Sequence, residues 1–413
     1  MKARLAVAAC VLVILAATLP PDRETAREAG GPSQVFGDRW LADAILNVIL
    51  FAPLGLALGA TRAESHRLIL GAALFSAAIE AAQGPIPGRD PSVVDVVTNT
   101  IGAALGLALW RGRRWYLDVS SARAGKLAVV ASLAASGVVA TTGVLIQPSY
   151  PHSIYYGQWT PDLGHLEWYR GRVLGASLGD LPLPGSRLDV QRSERVRSLL
   201  AAGAQMDVRA VAGPATSRLG SLVSIYDERQ REIMLLGPMR QDMVLREHTR
   251  AVGIGLDNPP LRWHGVLSTV RRGDTVGVRV RPARGGTCLA VAGREDCGVA
   301  HRVSDGWALL SGFVALSDAP QRALSAVWLA LLVLPVGLWL RRGWAGALAI
   351  GVLGAGVLLV PRAVSLAQPA WWEMAALAAG LASGVALQRS AHSLGAPPRS
   401  APASADTHRS MRS

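Results

Sequence analysis

The chain has 413 residues, half of them hydrophobic, and a formal charge of +13. Its apolar residues fall in long blocks, which excludes one soluble domain and places the chain among membrane proteins. Three cysteines are too few for a disulfide-rich scaffold, and the basic residues sit in short loops between apolar runs, so nucleic acid is not an expected partner.

The first apolar run, residues 5–19, follows Lys2 and Arg4. Its length suits a signal peptide, but the sequence TLPPDRE that follows offers no small-x-small cleavage site, so a retained helix is the expectation. Runs at 41–60, 68–83, 93–110 and 127–147 come next, and 323–340, 343–360 and 371–387 close the series. Each approaches the ~20 residues that cross a hydrocarbon core of ~30 Å, and about eight spans are expected. Arg62, Arg67, Arg111, Arg113, Arg114, Arg123, Lys126, Arg341, Arg342 and Arg389 lie in alternate connections. The positive-inside rule then puts both termini in the cytoplasm of a multi-pass inner-membrane protein, and residues 20–40, 84–92, 148–322 and 361–370 outside.

Between 148 and 322 the long runs give way to short alternating segments broken by Gly, Pro and Asp, at 205–211, 219–226, 232–236, 275–280 and 306–314. That rhythm predicts a β-sandwich or jelly roll. Cys288 and Cys297 fall in this outside segment, close enough to close a hairpin as a disulfide or to remain two free thiols, whereas Cys10 is alone in an apolar run. No metal site is expected. The fold class is therefore mixed, a polytopic α-helical membrane bundle with an extracytoplasmic all-β domain. Its parts are an amino-terminal bundle (1–126), a fifth span (127–147), the sandwich (148–322), carboxy-terminal spans (323–388) and a disordered cytoplasmic tail rich in Ser, Ala and Pro (389–413).

Polar residues inside the first apolar runs carry the functional signal, because a charge in hydrocarbon costs roughly 2.5–3.5 kcal/mol on insertion scales. Asp43 and Asn47 are four apart, as are Asp95 and Asn99, and Glu80 and Gln83 are three apart, so each pair shares a helix face. In the expected orientation all three faces meet at the outer leaflet, beneath the loop GPIPGRDPS with Arg89 and Asp90. Gly55, Gly59, Gly102 and Gly106 would let the helices approach closely below them.

The set Asp43, Asn47, Phe51, Pro53 and Gly55, then Ser76, Ile79, Glu80, Gln83 and Arg89, then Asp95, Asn99, Gly102 and Gly106, resembles the VanZ-like family of bacterial membrane proteins over residues 5–110. That family is named for a protein that lowers susceptibility to the glycopeptide teicoplanin, so the resemblance implies a cell-envelope role and links to antibiotic resistance. The outside segment and the last three spans go beyond the family's simplest members. The outside domain is similar in strand rhythm to concanavalin A-like, laminin-G-type jelly rolls, which implies a glycan or adhesion partner.

Three readings of the constellation stay open. It could be a hydrogen-bond network that specifies helix packing, or a pocket for an envelope lipid, a lipid-linked glycan or an envelope-active compound in which Arg89 meets phosphate. It could also be a general acid and base or Mg²⁺-assisted site in an enzyme that modifies a lipid-linked saccharide precursor. No nucleophile or His cluster accompanies the acids, so no catalytic residue or cofactor is assigned and the non-enzymatic reading is favoured. Outside, Tyr155, Tyr156, Trp159, Trp168 and Tyr169, with Asp162, His165 and Glu167 among them, could stack on sugar, although core packing is the commoner use. The charges of SIYDERQREI suit a solvated hairpin, and Asp257, Asn258, Pro259 and Pro260 a rigid turn rather than a Ca²⁺ loop.

Overall fold

Helices follow the apolar runs. The computed structural model describes residues 2–20, 39–87, 89, 91–161, 166–283, 285–311 and 318–395. The amino-terminal part holds α1 (Lys2–Thr18), α2 (Trp40–Gly59), α3 (Ser65–Gln83), α4 (Val93–Arg111) and the short α5 (Arg113–Leu117), and α6 (Ser121–Leu145) follows. Ser92 and Ser120 cap α4 and α6, accepting from the backbone N–H of Val94 and Arg123. After the β domain come α8 (Asp318–Trp339), α9 (Trp344–Leu358), α10 (Val360–Ala363) and α11 (Trp371–Gly395). Among the described residues, five helical stretches are long and apolar enough to cross a membrane: α2, α4, α6, Ala319–Trp339 and Trp344–Ala363. The other three expected spans also form helices, α1 with 17 residues, α3 with Glu80 and Gln83 in its last turn, and α11. Most of the predicted tail lies outside the described residues.

The helices form two groups. In the first, α2 and α4 touch backbone to backbone: a Cβ on Gly55 would strike Ala103, on Gly102 Val48, and on Gly106 Ala52 and Leu56. α1 and α3 pack beside them through Ile14, Phe51, Leu54 and Ile79, with the Phe51 and Phe75 rings 6.2 Å apart. In the second group α6 joins α8, α9 and α11 through Val139, Leu329, Val333, Val336, Leu353, Val357 and Leu377. Gly380 and Gly384 of α11 approach Ala330 and Leu334 of α8 in the same close manner. At one end, Trp339 Nε1 donates to the Tyr116 carbonyl at 2.8 Å and joins the groups.

The connection between α6 and α8 folds into two antiparallel sheets. One has the order β1-β5-β6-β7-β8, built from Tyr155–Trp159, Val223–Asp227, Glu232–Met239, Asp242–Glu247 and Leu261–Trp263. The other runs β11-β10-β9-β4-β2-β3, with β2 (Arg172–Leu178), β3 (Leu181–Leu183), β4 (Met206–Val211), β9 (Thr275–Ala283), β10 (Gly286–Val291) and β11 (Arg294–Val299). Alternate residues such as Val276, Val278 and Val280 turn inward against Ile225, Leu236 and Trp263 to form one core. Cys288 and Cys297 are joined by a disulfide across the β10–β11 hairpin. A helix, α7 (Ser193–Ala201), covers the core with Val196 and Leu200, whose spacing of four was a readable sign of it.

One expected strand is corrected. Residues 303–309 of the 306–314 segment form a 3-10 helix, Val303–Leu309, because Asp305 accepts from the Arg302 N–H at 2.8 Å and Trp307 Nε1 donates to Ser325 Oγ at 2.9 Å, tying the segment to α8. Residues 312–317 lie outside the described residues.

Candidate functional site

The alternating direction of the helices brings the start of α2, the end of α3 and the start of α4 to the end that faces the sandwich. Here the structure divides the polar constellation in two. Glu80, Gln83 and Asn99 are buried and bonded to protein. Glu80 Oε2 accepts from the Ser92 N–H at 2.8 Å, which pins the α3–α4 connection onto α3. Gln83 Nε2 donates to the Thr18 carbonyl at 2.9 Å and holds the end of α1. Asn99 Nδ2 donates to Ser76 Oγ at 2.9 Å between α4 and α3, while Asn99 Oδ1 is buried without a hydrogen-bond partner among the described residues.

Asp43, Asn47, Asp95 and Arg89 form the more open part. Asn47 Nδ2 donates to Thr98 Oγ1 at 3.3 Å, and its amide also reaches the Asp95 carboxylate. Asp43 and Asp95 are close enough to repel each other, and Asp43 also feels Arg39 and Asp257. Arg89 Nε donates to the Pro20 carbonyl at 3.2 Å over the end of α1. Asp90 lies outside the described residues. Thr18, Ser92 and Thr98 are the contributors that sequence reading missed. Ser92 could have been found, since Ser followed three residues later by Asp95 at the head of an apolar run is a helix-start pattern.

The sandwich is docked on this end. Gly255 O accepts from the N–H groups of both Leu41 and Ala42 at 3.0 Å, in the first turn of α2. Asp257 pairs with Arg39 at 3.0 Å and accepts from the Asn258 N–H at 2.8 Å, so the acid of DNPP serves the bundle; residues 257–260 form no turn, contrary to expectation, because Asp257 is held by Arg39 and its N–H by the Leu309 carbonyl. Ala42, Ile146, Ala251, Leu256 and Leu309 pack together beneath it.

The aromatic cluster of the sandwich is mostly spent on packing. Tyr155 and Tyr169 are core residues, Trp159 packs against the core, and Tyr156 lies beneath the Arg187 guanidinium, 3.4 Å from its ring centre. Burial pushes the Tyr155 hydroxyl up to about 12, and it donates to the Pro151 carbonyl at 2.7 Å. Glu167 accepts from the Ser217 and Arg218 N–H groups at 2.7 and 2.8 Å. Only Trp168 of the five aromatics is exposed; Asp162 and His165 lie outside the described residues. The charged hairpin is organised from within: Asp227, 1% exposed, accepts from the N–H groups of Arg229 and Arg231 at 2.9 Å.

Apolar helices of spanning length in two groups, with polar residues gathered at one end of the first, define a multi-pass membrane protein. Residues 7–116 match the VanZ/LLP1 family model, so the part from α1 to α5 is a VanZ-like domain. No curated protein and no solved structure matches the chain.

Proposed function

We propose that the VanZ-like domain recognises the head group of an envelope lipid, a lipid-linked glycan or an envelope-active compound such as a glycopeptide at the open half of its polar end. The observation that carries this is the division of the constellation. Glu80, Gln83 and Asn99 are committed to holding α1, α3 and α4 together, whereas Asp43 and Asp95 set two mutually repelling carboxylates near the Asn47 amide, and Arg89 lies over the end of α1 within reach of the Glu80 charge. Two acceptor-rich carboxylates suit hydroxyl and amine donors of a sugar or peptide, and a guanidinium suits phosphate. The basic collar at the opposite end, Arg62, Arg67, Arg111, Arg113, Arg123 and Lys126, supports an orientation with that end and both termini in the cytoplasm of the inner membrane. On this reading the sandwich, with its two antiparallel sheets, is the extracytoplasmic module, and its concanavalin A-like kinship and a glycan partner belong to the same proposal.

The test is native mass spectrometry of the full chain in mild detergent, wild type beside Asp43→Asn/Asp95→Asn. A co-purified lipid-linked species lost in the double variant, with the melting temperature kept, is the expected result. Equal retention of that species in both proteins would sink the assignment.

A further inference from the structure

A second cavity, of about 870 Å³, lies between the sandwich and the second helical group. Its floor is the end of α6 at Gly143 and Ile146 and the connection after α10 at Val364 and Leu366. Its roof is the sandwich, at Leu245, Leu261 and Val299. The volume falls in the range of small-molecule sites, roughly 300–1,000 Å³. Gly143 is in the last turns of one membrane-spanning candidate and Arg362 at the last residues of another, so the cavity opens at the level where the hydrocarbon ends.

Its polar lining is not used up by the protein. The Thr249 hydroxyl lacks a hydrogen-bond partner among the described residues, but it is closed off from the cavity and does not meet a ligand there. Arg362 lines the cavity, is exposed and makes no ion pair or hydrogen bond among the described residues. Its neighbour Arg302, by contrast, donates to the Gln368 carbonyl at 2.8 Å and reaches Glu373. The one acid in the lining, Glu247, accepts from the Tyr150 hydroxyl at 3.0 Å, and burial pushes its carboxyl up, with His301 opposing. The lining therefore offers an uncommitted cation above an apolar floor.

We propose that this cavity is a binding site for a phosphate-bearing lipid of the leaflet on the sandwich side, with its phosphate on Arg362. The floor of Ile146, Val364 and Leu366 receives the glycerol end, and the acyl chains return to the bilayer. The site is separate from the VanZ-like polar end and does not depend on the function assigned there.

The probe is phosphatidylglycerol, titrated onto the delipidated full chain in mild detergent and read by native mass spectrometry. Arg362→Gln, at an exposed position with no partner among the described residues, should weaken binding about tenfold, as expected for one charge-assisted contact. Asp95→Asn should leave binding unchanged. Diacylglycerol of the same chain length should bind at least tenfold more weakly, and millimolar inorganic phosphate should neither bind measurably nor displace the lipid. Unchanged binding in the Arg362 variant overturns the proposal. Equal binding of diacylglycerol removes the phosphate from it, and displacement by inorganic phosphate replaces the lipid with a free anion.

Discussion

Asn99 shows how little separates a packing residue from a ligand-facing one. It is one residue along from Thr98, about 100° around the helix, and that rotation turns Asn99 inward to Ser76 while Thr98 meets Asn47. Ser76→Ala would leave the amide of Asn99 wholly unpaired and should cost about 1 kcal/mol, at the level found for polar contacts between membrane helices. A thermal melt of the variant in detergent checks this. The spacing of four made the shared faces of Asp43 with Asn47 and Asp95 with Asn99 legible. That Asn99 is buried while Asp43, Asn47 and Asp95 are not depends on the neighbouring helices, and no spacing within one helix encodes that. His248 offers a pH test in the sandwich. Burial, opposed by its hydrogen bond to the Ser149 carbonyl, pushes its imidazole down, and Nδ1 lies 3.0 Å from that oxygen. Because the unfolded chain takes up the proton first, stability held above about pH 6.5 is lost as the pH falls toward the depressed folded value. His248→Asn can keep the donor without titrating, so melts at pH 7.5 and 5.5 should differ less in the variant than in wild type.

At the level of elements, glycine separates contact from mere composition. Gly106→Ala drives a methyl into the backbone of Ala52 and Leu56 and should destabilise by about 1–3 kcal/mol. Gly354→Ala, in α9 with open space at the position, should be neutral or stabilise by up to about 1 kcal/mol. Comparing the two unfolding midpoints tests whether α2 and α4 pack as described. Helix existence was readable because runs of apolar residues leave the backbone few alternatives in a bilayer. The strands β4 and β9 were readable from alternation and β6 from a short apolar run, while the segment 306–314 was not, since its bonds to α8 come from residues that are distant in sequence until the chain folds. Pairing of helices was equally hidden: nothing in the run 127–147 announces that α6 sits with α8 and α9 rather than with α4.

For the whole molecule, that grouping means that the VanZ-like domain and the rest meet at a few defined places: Trp339 with Tyr116, Arg39 with Asp257, and the first turn of α2 with Gly255. A chain divided between Asp118 and Val119 and expressed as two pieces should therefore reassemble and co-purify. Gly255→Val should weaken that association, because Gly255 has a φ of +76° and a side chain there would meet the ring of Trp40. Failure of the intact pair to co-purify would show that the short α5–α6 connection, rather than these contacts, holds the halves together. The Gly255 carbonyl also imposes an order on synthesis. α2 is inserted early, yet the acceptor for its Leu41 and Ala42 N–H groups emerges from the ribosome more than two hundred residues later, about ten to forty seconds at ~5–20 residues per second. Throughout that interval the turn that bears Asp43 stands uncapped, and the polar end of the bundle is finished only when the sandwich has folded over it.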